Sequence, residues 1–179
     1  SKSSISNGRT SRRKRNSMTH HAPRTILTAD SYAAGSVLWV NNSLCCGGVE
    51  RQLTTSAQAL RHHGVHTLKL LCTSLAPQAN DDFFLPKVQD CFEHIYLVNE
   101  LPQHTLNELL PLALKYTHIA PWLDQQESYA LVMYIAWMLH IRPRCVHSWH
   151  GDWPLAALAA CIAGVPRVIL SWRSLSPRS

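Results

Sequence analysis

From residue 36 onward, short runs of strand character alternate with longer runs of helical period, and no other feature constrains the fold as tightly. Residues 36–41 read as a first strand, followed by a loop that ends in Gly47 and Gly48. Val49, Leu53, Ala57 and Leu60 then recur at spacings of three and four, which aligns one apolar stripe along a helix, and Gly64 ends it. Residues 65–72 are the second strand, residues 73–80 a polar, proline-containing surface loop, and residues 94–98 the third strand. Residues 105–139 read as two or three helices broken by Pro111 and Pro121, since proline lacks the helix donor and restricts its predecessor. A fourth strand at 144–149, an Ala-rich helix at 153–163 closed by Gly164, and a fifth strand at 167–172 complete the pattern. Such alternation predicts an α/β fold, a doubly wound parallel sheet covered by helices on both faces.

Length and composition allow one such domain and not two: 179 residues, 46% hydrophobic and 16% charged, is a globular composition. The net charge of +6 invites a nucleic-acid reading until it is divided along the chain. Residues 1–34 carry seven Lys and Arg against the single acid Asp30, whereas the remaining 145 residues are balanced at ten of each sign. The excess therefore belongs to a Ser-rich leader, densest at Arg12, Arg13, Lys14 and Arg15, whose lack of apolar periodicity predicts disorder. It also lacks the apolar stretch of a secretory signal. A solvated tail, attraction to anionic lipid at about 1 kcal/mol per basic residue, and nucleic-acid binding are its three readings. The folded part, without a basic stripe, disfavours the last. Six cysteines without C-x-x-C spacing fit neither a zinc site nor a small disulfide framework, which points to a reducing cytoplasmic setting. No run is long and apolar enough to suggest a spanning helix.

The segment most suited to chemistry joins the first strand to the first helix: Asn41, Asn42, Ser43, Leu44, Cys45, Cys46, Gly47, Gly48, Val49, Glu50, Arg51. Adjacent glycines at a helix start let backbone approach a ligand, and a helix N-terminus favours an anion. The spacing is neither G-x-G-x-x-G nor a P-loop, which argues against a dehydrogenase or a nucleotide hydrolase. A ligand-free tight turn is the plain alternative.

Gly47-Gly48-Val49-Glu50-Arg51-Gln52 after a first strand resembles the Gly-Gly-x-Glu loop of retaining family-4 glycosyltransferases. Val146-His147-Ser148-Trp149 with the Ala-rich helix, then residues 163–171 with Arg173 and Ser174, is similar to the matching strand, helix and strand of bacterial polysaccharide members. The resemblance implies that residues 35–177 are the Rossmann-like, acceptor-side N-terminal half of a GT-B glycosyltransferase, with the donor-binding half absent and the fragment alone inactive. It further implies a nucleotide-sugar donor, a glycan or lipid-linked acceptor in polysaccharide biosynthesis, no metal or other cofactor, and a cytoplasmic or peripheral inner-membrane location. On this analogy Gly47 and Gly48 lie beside the donor diphosphate, and Glu50 acts in catalysis, facing the cleft or bracing the loop. An acid in a first helical turn is equally favoured by the helix dipole alone. Arg173 stands where many relatives carry a histidine, and could stabilise a leaving diphosphate but not shuttle a proton.

At the end of the fourth strand, His147 and His150 admit a structural role, a role in acceptor binding, or metal ligation, the last without a recognisable partner spacing. Asp152 and Trp153 continue this loop toward the acceptor, though Asp152 also suits a helix cap. Glu100 and Glu108 mimic the paired glutamates of the superfamily's donor domain, but lack the Gly-rich and Ala-rich surroundings and fall in the wrong half. His62, His63 and His66 read as solvated surface at a helix end. Trp122, Tyr129, Trp137 and Met138 either fill the core or dock on a membrane.

Overall fold

The computed structural model describes residues 36–149 and 154–171. The leader, together with His150, Asp152, Trp153 and Arg173, lies outside the described residues.

Five strands, β1 (Val37–Asn41), β2 (Leu68–Cys72), β3 (His94–Leu97), β4 (Cys145–Ser148) and β5 (Arg167–Leu170), form one sheet in the order β3-β2-β1-β4-β5. Every pairing is parallel, and the arrangement is Rossmann-like. Trp39 of β1 sits beside Leu70 on one side and His147 on the other, so these three side chains share a face. Leu38, Val40, Leu71 and Val146 point to the opposite face. Central strands apolar on both faces require a helical layer on each side.

Those layers are unequal. The face carrying Trp39 packs Leu53 and Ala57 of α1 (Gly48–His62) and Val88 of the short α2 (Leu85–Val88). The other face packs α3 (Gln103–Leu114), α4 (Gln125–Ile141) and α5 (Leu155–Ile162). The central helix α4 is buried almost all round from Leu131 to Ile141, as expected of a helix held between a sheet and two neighbours. A reciprocal capping box starts it, with Asp124 accepting from the Glu127 amide and Glu127 accepting from the Asp124 amide. Trp137 anchors its far half by donating its indole N–H to the Val98 carbonyl at 2.9 Å.

The elements depart from the sequence reading where local rules met competing ones. Pro111 does not break α3 but sits inside its last turns, and the carbonyl deprived of a donor belongs to Asn107, an exposed residue that water can reach. Residues 65–67 are not strand, because the left-handed Gly64 and the Val65 amide bonded to Leu60 O use them to turn the chain. Helical α2 arises at residues left unassigned from sequence. The mid-chain apolar side chains divide: Trp137 and Met138 are core, while Trp122 is 71% and Tyr129 64% exposed. His62, His63, His66, Glu100 and Glu108 are all surface residues. Among the described residues, no helix is long and apolar enough to cross a membrane.

Candidate functional site

The strand order sets the location. From β1 the chain moves outward to β2 and β3, and from β4 outward in the other direction to β5. The carboxyl ends of β1 and β4 therefore flank the switch point at which open α/β sheets form a ligand crevice.

The loop leaving β1 is held firmly. Leu44 is fully buried; its amide donates to Asp81 O and its carbonyl accepts from the Phe84 amide. The Asn42 carbonyl accepts from the Thr73 and Ser74 amides, tying this loop to the one after β2. On that base the loop has a buried floor and an exposed rim. Asn41, Ser43, Leu44 and Glu50 form the floor, and Asn42, Cys46 and Gly48 the rim.

Glu50, at the third helical position of α1, is only 6% exposed. One of its carboxylate oxygens accepts from Asn41 Nδ2 at 3.3 Å, and the same Nδ2 also donates to Ser43 O at 2.7 Å. The other oxygen lies under Gly47, where a Cβ would collide with Oε2 and stand 3.2 Å from Cδ. Gly47 thus makes room for the Glu50 carboxylate. Gly48 differs: a Cβ there meets nothing within 4 Å, so its face toward solvent is open. Gly47 caps α1 with extended backbone and no side-chain hydrogen bond, which leaves the first amides of the helix to water or a ligand. Beneath them, Asn41 Oδ1 is buried without a hydrogen-bond partner among the described residues.

Across the switch point, His147 Nε2 lies 2.7 Å from Ser171 Oγ. Its ring stacks on Trp149 at 4.4 Å and meets the edge of Trp39 at 5.9 Å. Three neighbours thereby orient this half-buried imidazole, and its bond to Ser171 ties β4 to the end of β5.

Of the residues singled out from sequence, the structure brings Gly47, Gly48 and Glu50 together at the junction of the β1 loop with the first turn of α1 and places His147 at the neighbouring strand end. Arg51 and Gln52 face solvent. Asn41 and Ser171 belong with the site though the sequence, which includes both in its candidate segments, assigns neither a role of its own; the signal for Asn41 is a polar residue closing an otherwise apolar strand. Cys72 lies behind the loop, its thiol pushed up to about 12 by burial first, then by Asp81 and Glu50. It is an inert core group and not a nucleophile. Among the described residues, no three His, Cys, Asp or Glu side chains converge as a metal site.

Comparison with family models, with curated proteins and with solved structures finds no match to this chain.

Proposed function

We propose that this chain is the acceptor-side half of a GT-B glycosyltransferase that moves a sugar from a nucleotide donor to a glycan or lipid-linked acceptor. The observation that carries the reading is the division of labour within Gly47-Gly48-x-Glu50. Gly47 is spatially required by the buried Glu50 carboxylate, and Gly48 is left open at the uncapped start of a 15-residue helix beside the switch point. That combination suits a diphosphate: bare backbone permits approach, and free amides with the helix dipole receive negative charge. In this reading Glu50 is a positioning residue. It acts through Asn41 and Gly47 to fix the loop and does not touch the donor.

His147, held by Ser171 and Trp149, fixes the floor on the acceptor side, while His150, Asp152 and Trp153 keep the acceptor-binding role, and Arg173 the role of stabilising a leaving diphosphate, that the resemblance implies for them. The apolar part of a lipid-linked acceptor has a candidate surface at the same edge of the sheet. Both α4 and α5 begin at the carboxyl side, and there Trp122 and Leu123, just before α4, and Leu155 and Leu158 of α5 line an apolar groove of about 280 Å³. Peripheral contact with the cytoplasmic membrane face follows from that acceptor.

The test is the coding sequence in frame beyond Ser179. The reading expects a second Rossmann-like domain of about 150 to 200 residues, carrying two glutamates in a Gly-rich and Ala-rich setting. A stop codon directly after Ser179 counts against transfer and favours a non-catalytic α/β binding domain.

A further inference from the structure

The opposite, amino-terminal edge of the sheet carries several basic side chains, and the described residues give most of them a partner. Lys69 pairs with Glu93 at 3.8 Å, Arg61 bonds His66, and Arg142 donates to the Leu139 carbonyl at the end of α4. Helix C-termini further explain Arg61, His62, His140 and Arg142, since cations are favoured there.

Arg144 and Arg167 have no such account. They stand at the starts of adjacent strands rather than at helix ends, with Arg167 in register with Cys145. Both are exposed, and among the described residues neither meets a carboxylate within ion-pair distance. Yet both line one groove of about 360 Å³, completed by Ser36, Val37, Cys145 and Pro166. Two like charges brought to one concavity repel each other, and an anion between them reverses that cost. Liquid water takes roughly 30 Å³ per molecule, so the groove admits a tetrahedral oxyanion with part of its hydration shell. Guanidinium groups are suited to such an ion, because their planar donors match two oxygens at once. Ser36 and Val37, where the described chain enters β1, line the same groove.

The geometry points to a second binding site, distinct from the Gly47–Gly48 loop: the Arg144–Arg167 groove holds a phosphate-type oxyanion. The same chemistry is presented by free phosphate and by the headgroup of an anionic phospholipid.

The experiment titrates the full chain with inorganic phosphate while recording backbone amide NMR spectra, and separately sediments it with phosphatidylglycerol-containing vesicles against pure phosphatidylcholine vesicles. Saturable shifts are expected at the Val37, Arg144, Cys145 and Arg167 amides, weakened at least about tenfold, the equivalent of 1.4 kcal/mol, in the Arg144→Gln, Arg167→Gln double variant. A control replacing Arg12, Arg13, Lys14 and Arg15 by Gln keeps those shifts. Phosphate shifts without sedimentation assign the site to a soluble phosphate; sedimentation with phosphatidylglycerol-containing vesicles that is absent with pure phosphatidylcholine and lost in the double variant assigns it to the lipid headgroup. Absence of shifts at these amides, or binding that survives the double variant and disappears in the leader control, overturns the site. Unchanged thermal unfolding of the double variant establishes that any loss is not a folding defect.

Discussion

Replacing Gly47 with alanine tests the logic of the β1–α1 loop in one atom. The added Cβ collides with Glu50 Oε2 and stands 3.2 Å from Cδ, so the carboxylate has to retreat. An ordinary carbon–oxygen separation is about 3.3 Å, and the retreat required is on the order of 1 Å. The Asn41 Nδ2 to Glu50 bond, already 3.3 Å long, cannot survive it. A hydrogen bond to a charged group contributes about 1.5–3 kcal/mol and overpacking costs about 1–3 kcal/mol; because relief of one is bought with loss of the other, the two do not add, and the expected destabilisation is about 2 kcal/mol. At about 2–4 °C per kcal/mol for a domain of this size, the melting temperature falls by about 4–8 °C. Gly48→Ala, with nothing within 4 Å of its Cβ, changes it by less than about 0.5 kcal/mol. Calorimetry on Gly47→Ala, Glu50→Ala and the double variant completes a cycle. Once Glu50 is truncated, Gly47→Ala has nothing to strike and its cost vanishes. Equal costs of Gly47→Ala in both backgrounds would refute the reasoning.

Other perturbations probe the rest of the frame. Cys72 keeps its proton in the folded state up to about 12 against a reference of 9.0, so its contribution is complete below pH 9 and is lost as pH rises toward 12. Cys91, Cys145, Tyr96 and Tyr134 are raised in the same sense, chiefly by burial, and steepen the decline. Urea midpoints measured across that range should fall less steeply in Cys72→Ala, and thiol labelling of the native protein should modify exposed Cys46 and spare Cys72. Pro111→Ala restores a helix donor to Asn107 and should stabilise the protein by about 1–3 kcal/mol, read as a higher denaturant midpoint; a lower one would mean that Pro111 is positioned by contacts outside α3. Trp137→Phe removes the bond to Val98 O and leaves an unfilled volume beside Tyr96, for an expected loss of about 2–3 kcal/mol by chemical denaturation.

The sheet was legible because apolar strands buried on both faces and a helix with a single stripe leave few alternatives, and Val49, Leu53 and Ala57 announce the buried side of α1 directly. Pro111 misled because its propensity was weighed without knowing that the orphaned carbonyl would face water. Trp122 and Tyr129 left both readings open from sequence, because size and apolarity favour burial without saying against what; Trp122 stands in the connection before α4 and Tyr129 on the first turns of α4, and both are exposed. In the site, the glycine pair was visible as a motif while its asymmetry was not. That Gly47 accommodates Glu50 and Gly48 stays open depends on a carboxylate folding back beneath the loop, and on Asn41 nine residues earlier in the chain. His147 was conspicuous, but its partner Ser171, 24 residues away, becomes adjacent only when β5 pairs with β4.

The most direct measurement of the central claim is release of nucleoside diphosphate from a panel of sugar nucleotides by the product of the full reading frame that contains this chain. The account predicts release with at least one donor in the presence of a glycan or lipid-linked acceptor, abolished by Gly48→Trp, which fills the open face of the loop, and reduced by Glu50→Ala, which loosens it. No release with any donor, or release indifferent to Gly48→Trp, would contradict it.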